Sequence, residues 1–536
     1  MRHTPPSITR LRQLLAGSLV ALSLGLAACG SDDGGSTAST TPTTPTTPTT
    51  PASAGTLSGT VSDFGSAAGL AGVTVSAGGV STTSTADGTW TLANVPTAAS
   101  VVVSFRRDGY VEQIKTTTSL GSNGATATVN TPMLAIGATS SFNPANAATV
   151  TVSGSTAAVV LPAGALRTAS GALPNGTVSA TLTPIPVTDN LDVMPGNFTT
   201  GGGERIESFG AIDVAFTDST GAALNLASGQ TATVRIPVST RSGSTPSTIP
   251  LFYFNRATGV WVQEGTASLV SGADGSYYEG SVSHFSIWNA DQVYNSVNVI
   301  GCVQDEAGAR VADASVTSEG RDYSGTASTR TDASGNFSVP MKANANGVIT
   351  AVTSGRYSSA VAVETGSNTV TLPACLVLTR AAVTVKLSWG SGPSDLDSHM
   401  WGPRAGDHIY YSSKGSLSSA PYVALDVDDT DSFGPEIVTV GRLVPGQTYR
   451  YAVNNYSRSF NPGMTGSPAR VELNLNGTLR SFTPPAGETA STYYWWVFDL
   501  VVDSNCNVNV VRKDVWSSTP PDNPNITAPA TLTYCN

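Results

Sequence analysis

Carboxylates that share a short stretch of chain can hold a hard cation. The segments "SDLDSHMWGP" and "LDVDDTDSFGPE" bring together seven of them: Asp395, Asp397, Asp426, Asp428, Asp429, Asp431 and Glu436. They stand out because charged residues make up only 12% of the chain, about half the usual quarter. Calcium takes about six to eight oxygens from carboxylates, carbonyls and water. Side chains two apart on a strand share a face. Asp395 and Asp397 are therefore expected to point one way, as are Asp426 and Asp428, with Asp429 and Asp431 on the following turn. If the two strands are neighbours, four or five carboxylates converge, and they repel unless a cation or protons intervene. Asp395, Asp397, Asp426, Asp428, Asp429 and Asp431 are the candidate calcium ligands. The competing reading has Asp429 and Asp431 capping a turn and the others paired with Arg404, Arg442 or His399. The spacing does not match an EF-hand loop, because Glu436 falls too early. His399 and His408 flank a loop and lack the helical spacing of a zinc protease.

Catalysis finds less support. Paired acids hydrolyse glycosides when about 5–10 Å apart, but nothing sets two of these on opposite walls of a cleft. His284, in "SHFSIWN", has no serine or cysteine nucleophile context and is expected to be a packed strand residue. No catalytic residue is assigned. Tyr410, Tyr411, Tyr493, Tyr494, Trp495 and Trp496 offer rings on which sugars could stack. Adjacent strand residues point to opposite faces, so at most half of them can form one platform, and most are expected in the core.

The elements that must position these residues read as β-strands. Short runs rich in Val, Thr, Ile and Tyr are punctuated by Gly, Asn, Asp and Pro, without sustained helical periodicity. The expected fold class is all-β, a series of sandwiches. The chain has 536 residues, room for three or four domains after its N-terminal segments. Its net charge is −10, with no basic cluster to neutralise phosphates, so nucleic acid is not an expected partner.

Those N-terminal segments carry their own chemistry. Arg2, Arg10 and Arg12 precede an apolar run from Leu14 to Ala28, shorter than the roughly 20 residues a spanning helix needs. This is the pattern of a secretory signal peptide. The tetrad Leu26-Ala27-Ala28-Cys29 resembles the lipobox of bacterial lipoproteins. That resemblance implies cleavage before Cys29, acylation of its thiol and a membrane as partner; two or three acyl chains suffice for stable anchoring. It places the protein at the bacterial cell envelope, and Gly30 after the cysteine favours the outer membrane. The "TTP" repeats that follow cannot bury enough apolar area to order themselves and form a stiffened, proline-spaced tether.

An internal repeat marks the folded part. "GTLSGTVSDFGSAAGLAGVTVSAGGVSTTSTADGTWTLANVP" begins at Gly55, and "NVIGCVQDEAGARVADASVTSEGRDYSGTASTRTDASGNFSVP" begins at Asn298. In both, a Gly-containing hairpin (Asp87-Gly88, Ser334-Gly335) precedes a core aromatic, Trp90 or Phe337. Both copies resemble carboxypeptidase regulatory-like domains, which are transthyretin-like β-sandwiches related in fold to starch-binding modules. Sugar binding is therefore a fold-level association only. Between them, "LPAGAL", "FGAIDV", the "NRATGVWVQEG" hairpin and "VSHFSIWN" resemble the extracellular β-domain shared by the cartilage intermediate layer protein and FAM171 proteins. The last segment, with "W…DLDSH" and "LDVDDT…GPE", resembles the uncharacterised YfaP-type domain.

The expected organisation is a signal peptide over 1–28, a disordered linker over 29–54, regulatory-like sandwiches over 55–135 and 295–379, the FAM171-like domain over 136–294, and the YfaP-type domain over 380–536. Setting Cys29 aside, four cysteines remain in an exported, oxidising setting, and they allow three pairings. Cys302 and Cys375 fall in the first and last strands of the second repeat copy, so one bridge staples that sandwich. Cys506 and Cys535 then clip the C-terminal tail. No CxxC spacing supports a metal cluster. The function expected is a membrane-anchored, non-catalytic binding or adhesion module, with a glycan or an envelope protein as partner and calcium as the one possible cofactor. The alternative is a structural spacer for an envelope complex, with a hydrolase of unrecognised site last.

Overall fold

The computed structural model describes residues 54–535, less 66–68, 119, 121–123, 189, 273, 354–355, 359, 380–382, 476–477, 507 and 526–530. The signal segment, Cys29 and the Thr/Pro repeats lie outside the described residues. Among those described there are 40 β-strands, one three-residue 3-10 turn and no α-helix. The chain is all-β, as its turn-punctuated runs imply. Period-two alternation does the work locally. In the strand Ser100–Arg106, Val101, Val103 and Phe105 point inward while the residues between them face out. In Ala232–Pro237, Ala232, Val234 and Ile236 do the same.

The repeat seen in the sequence is a repeat in topology. Strand Ala54–Asp63 pairs antiparallel with Thr89–Pro96 and parallel with Thr126–Thr128 and Thr131–Met133. Strand Ser296–Asp305 pairs antiparallel with Asn336–Lys342 and parallel with Val370–Thr371 and Leu376–Leu378. Each copy closes a second antiparallel sheet over the first. Trp90 and Phe337 are core residues, Trp90 meeting Phe105 edge-on at 5.5 Å. The turn before Trp90 requires glycine: Gly88 has φ +80°, and a Cβ there would stand 2.2 Å from the Val61 carbonyl oxygen.

Separate apolar cores follow in chain order. One gathers residues between Leu57 and Met133, and a larger one gathers Val150 to Ala290 within a 12-stranded sheet. A third runs from Val299 to Leu378. The last, from Val383 to Val502, sits between a six-stranded and a five-stranded sheet. These are called the first to fourth bodies below. His284 lies at a bend rather than within a strand, its ring 4.6 Å from that of Tyr253 and 5.0 Å from that of Trp288.

The disulfides are Cys302–Cys375 and Cys506–Cys535, the pairing that the cysteine positions imply. The first ties Cys302, in the leading strand of the third body, to Cys375, which lies just before the last strand Leu376–Leu378 and not within it as expected, and closes a loop with a sequence separation of 73. Loops of that size gain about 4 kcal/mol from closure. Replacing both Cys302 and Cys375 by serine is expected to lower stability by about 2–4 kcal/mol, read as a lower denaturant midpoint for the third body. An unchanged midpoint would contradict the assignment.

The bodies meet through apolar clusters, such as Val111, Ile114 and Leu134 against Val193, Phe254 and Trp261, and through buried or half-buried polar contacts. Arg470 of the fourth body donates to the Phe64 carbonyl at 2.8 Å and lies 3.6 Å over its ring. Asn190 of the second body donates to Glu472 of the fourth at 2.7 Å. Glu319 of the third body pairs with Arg241 of the second at 3.1 Å and Lys386 of the fourth at 2.8 Å.

One buried acid at the second–third boundary has no such partner. Asp291 is fully enclosed, and neither of its oxygens finds a hydrogen bond among the described residues. Burial, with Glu207 adding to it, pushes this carboxyl well above the ordinary range. A raised native value stabilises the fold below the ordinary carboxylate range, and that contribution is lost as pH rises towards the native value. Asp291→Asn is therefore expected to raise the melting temperature at pH 8 and leave it nearly unchanged at pH 4. Equal shifts at both would contradict this account.

Candidate functional site

The strand Asp397–Trp401 lies beside Thr448–Asn454 in the five-stranded sheet of the fourth body. Alternation sends Met400 into the core and Ser398 to the Tyr451 hydroxyl at 2.8 Å. Asp397, His399 and Trp401 are left on the opposite face. There one ligand oxygen each from Asp397, Asp428 and Glu436 lies within 4.8 Å of the others. Glu436 opens the strand Glu436–Val440 and is anchored by two backbone amides: Ser398 N–H donates to it at 2.6 Å and Asp429 N–H at 3.3 Å. Asp397 is 2% exposed, yet among the described residues its side chain meets only the Asn454 amide, at 3.5 Å. Asp428 faces Lys414 at 3.8 Å through one oxygen. Its other oxygen, like one of Asp395, is buried without a hydrogen bond among the described residues.

The electrostatics follow from crowding in a dry place. Burial, then Asp395 and Asp428, push Asp397 up to about 7. Burial and Asp428 raise Asp395. Burial takes Glu436 well above its ordinary value, with Asp397 adding to the rise. Such a group of acids is held together by protons or by a cation.

Three of the expected ligands lie elsewhere. The strand Val423–Leu425 ends one residue before Asp426, so the two-residue period does not extend to Asp428. Asp426 turns away from it and accepts from the amides of Ala360, Val427 and Ile437 at 2.6, 2.7 and 3.0 Å. Burial pushes Asp426 to about 7. Asp429 and Asp431 both pair with Arg321 of the third body, Asp431 at 3.1 Å. Asp429 also accepts from the Asp431 amide at 3.2 Å, a turn bond of the kind the competing reading expects. Its proposed partners for the remaining acids go elsewhere: Arg404 pairs with Asp407, Arg442 lies over Tyr422 and His399 bonds His408. Glu436, recognised in the sequence only as part of the acidic run, is a full member of the group. Its signal was position: it heads a strand that the apolar run "IVTV" makes central.

The histidines flank a loop, as expected: residues 402–407 connect the strands Asp397–Trp401 and His408–Ile409. Trp401 and His408 are directly paired on neighbouring strands. That hairpin brings His399 Nδ1 to 2.8 Å from His408 Nε2. Burial lowers His399 to about 3 and His408 to about 4, so both rings are neutral at neutral pH and one N–H serves the other's lone pair. Trp401, His408 and Tyr410 stack at centroid separations of 4.5 and 4.2 Å. Among the described residues no third His, Cys, Asp or Glu joins the histidines as a ligand group.

The alternation expected of the last aromatics holds. Trp495 is in the core, whereas the Trp496 ring is covered by Arg450 at 3.8 Å. Of the six candidate rings, Tyr411 is open at 37% exposure, and two others, Tyr456 and Phe460, are 52% and 48% exposed. Tyr411 meets Tyr456 at 5.4 Å, and Ser457 of the same loop donates its amide to the Asp395 carbonyl at 3.3 Å. An exposed aromatic edge thus borders the acidic group.

No family model matches the chain, and no curated protein matches it. Among solved structures, it is similar to the Bacillus anthracis TIE protein, at 13% identity over 61% of this chain and 51% of that one, TM-score 0.14. The chain spans about half the length of that protein. It is also similar to SAV2460, a protein of unknown function, at 19% identity over 26% of this chain and 93% of that one, TM-score 0.21. A third is BcpA, the major pilin subunit of Bacillus cereus, at 9% identity over 61% of this chain and 100% of that one, TM-score 0.14. Likeness at this level carries no functional argument.

Proposed function

We propose that the protein is an envelope-anchored, non-catalytic adhesion module whose fourth body binds calcium and, beside it, a carbohydrate. The observation that supports this reading best is Asp397: nearly sealed from water, almost without hydrogen bonds, and facing Asp428 and Glu436 within 4.8 Å. An ionised carboxylate in such a place needs a counter-charge, and oxygen donors suit calcium. Asp395, Asp397, Asp428 and Glu436 are the protein's ligands in this reading. The rings of Tyr411, Tyr456 and Phe460 offer apolar faces next to polar acceptors, a surface on which a sugar ring can stack. Cys29 is the proposed site of acylation and the bacterial outer membrane the proposed location.

A glycan array probed with the full chain, with calcium and with EDTA, tests the reading. Calcium-dependent signal lost in Tyr456→Ala supports it; silence across the array in both conditions contradicts the carbohydrate part. Mass spectrometry that finds Cys29 without acyl chains contradicts the anchor. The buried charge pairs between bodies favour a second role as a stiff spacer. In that case an envelope protein is captured with glycan binding absent.

A further inference from the structure

The loop 455–460 carries two exposed rings, Tyr456 and Phe460, and sets an exposed arginine, Arg458, between them. The guanidinium lies 4.7 Å over the Tyr493 ring and, among the described residues, pairs with no carboxylate and donates no hydrogen bond. Arg458 has φ +53°, a left-handed conformation that residues with a Cβ disfavour. The loop is braced to keep it there. The Arg458 amide donates to the Asn455 carbonyl at 3.1 Å, and the enclosed Asn455 side chain donates to the Ser459 carbonyl at 2.6 Å. The Asn455 amide is fixed in turn to the carbonyl of Tyr493 at 2.7 Å, the residue whose ring the guanidinium covers. Backbone strain held in this way gathers at ligand-binding positions, and a loop already fixed in shape loses little freedom on binding.

What the loop offers a ligand is unbalanced. The hydroxyls of Ser457 and Ser459 both donate inward, to the Asn455 side chain at 3.0 Å and the Pro462 carbonyl at 3.2 Å. The guanidinium has five donors and no acceptor. The acids around the loop are turned away from it or engaged. Asp397 and Glu436 are enclosed, one Asp395 oxygen is buried, and Glu488 accepts from the amides of Met464 and Thr465 at 2.9 and 2.6 Å. A neutral sugar hydroxyl both donates and accepts, whereas an ionised carboxylate only accepts and fits the guanidinium fork with both oxygens.

We infer that the sugar taken by the edge of Tyr411, Tyr456 and Phe460 is an acidic one: its ring stacks on the exposed aromatic faces and its carboxylate is held by Arg458. Selectivity for an acidic sugar rests on the carbohydrate reading above, and the two fail differently.

The full chain is titrated, in calcium and in EDTA, with two matched pairs: trigalacturonate against its methyl ester, and sialyllactose against lactose. At least one acid is expected to bind about tenfold or more tightly than its neutral counterpart, the worth of a charge-assisted hydrogen bond, and the preference should shrink as salt is raised. Arg458→Ala is expected to abolish the preference without changing the melting temperature. Arg458→Lys should keep only part of it, because an ammonium is a point charge without the fork. If acid and neutral forms bind equally, if Arg458→Ala keeps the preference, or if the glycan array responds to neutral sugars alone, the acidic-sugar assignment is overturned and the carbohydrate reading stands. Silence of both pairs and of the array overturns both. A purified envelope protein that binds the parent and is lost in Arg458→Ala, with every sugar silent, makes the loop a protein contact and overturns them equally.

Discussion

Glu319→Ala is expected to cost about 2–3 kcal/mol, between the roughly 0–1 of an exposed pair and the roughly 3–5 of a fully buried one, because Glu319 and Lys386 keep side-chain exposures of 17% and 24%. Glu319 sits between Arg241, whose side chain is almost fully enclosed, and Lys386. Deleting it leaves two cations of different bodies facing one another without their shared anion. Burial alone would raise the Glu319 carboxyl, but Lys386 and Arg241 outweigh it and hold the group at about 2. Burial disfavours the Lys386 ammonium, yet Glu319 and Glu472 raise it above its ordinary value. A lowered carboxyl gives stability that is present above its unfolded value and lost as pH falls through the native one. A raised ammonium gives stability present below its unfolded value and lost as pH rises through the native one. The deficit of Glu319→Ala should therefore be flat from about pH 5 to 9 and shrink as pH falls from about 4.5 towards 2. Because the pairs join three bodies, calorimetry should also show one transition dividing into two. A variant that melts as a single transition within about 1 kcal/mol of the parent, the worth of a surface pair, would show that the triad is only a surface feature.

Calcium is the second large effect. A ligand at about 100 times its dissociation constant stabilises the form it binds by about 2.7 kcal/mol. For a body of this size that raises the melting temperature by about 5–10 °C. Without calcium the fourth body should show the opposite of the usual acid behaviour. Asp397, at about 7, favours the fold when protonated, so its contribution is complete below about pH 4 and fades as pH rises through 7. Calcium should matter most where that fading is complete, near pH 8. Asp397→Asn should remove the calcium response and the part of the pH dependence that Asp397 supplies, leaving the parts due to Asp426 and Glu436. A melting curve that is indifferent to calcium and to EDTA at pH 8 would count against the site.

What could be read from the chain depended on the range of the interaction. The strand-and-turn rhythm and the repeat with its Trp90 and Phe337 are set by local pattern, and the fold bears them out; the two cysteine pairs, 73 and 29 residues apart, followed from the place of each cysteine in its domain. Four of the carboxylates were placed by the two-residue rule. It served for Asp397, which lies in a regular strand, and failed for Asp426, because the strand stops at Leu425 and the chain leaves the sheet. His399 and His408 come together through a hairpin register that spacing alone does not specify. The triad of Arg241, Glu319 and Lys386 joins residues from three bodies, and no window of sequence contains it.

The most direct measurement is calorimetric titration of the cation-free full chain with calcium at pH 6 and pH 7.5, in buffers of different ionisation enthalpy. Because the acids hold protons that calcium must displace, the account predicts saturable binding that is tighter at pH 7.5, releases protons at pH 6, and disappears in Asp397→Asn. Absence of saturable heat at millimolar calcium, or equal binding by Asp397→Asn, would contradict it.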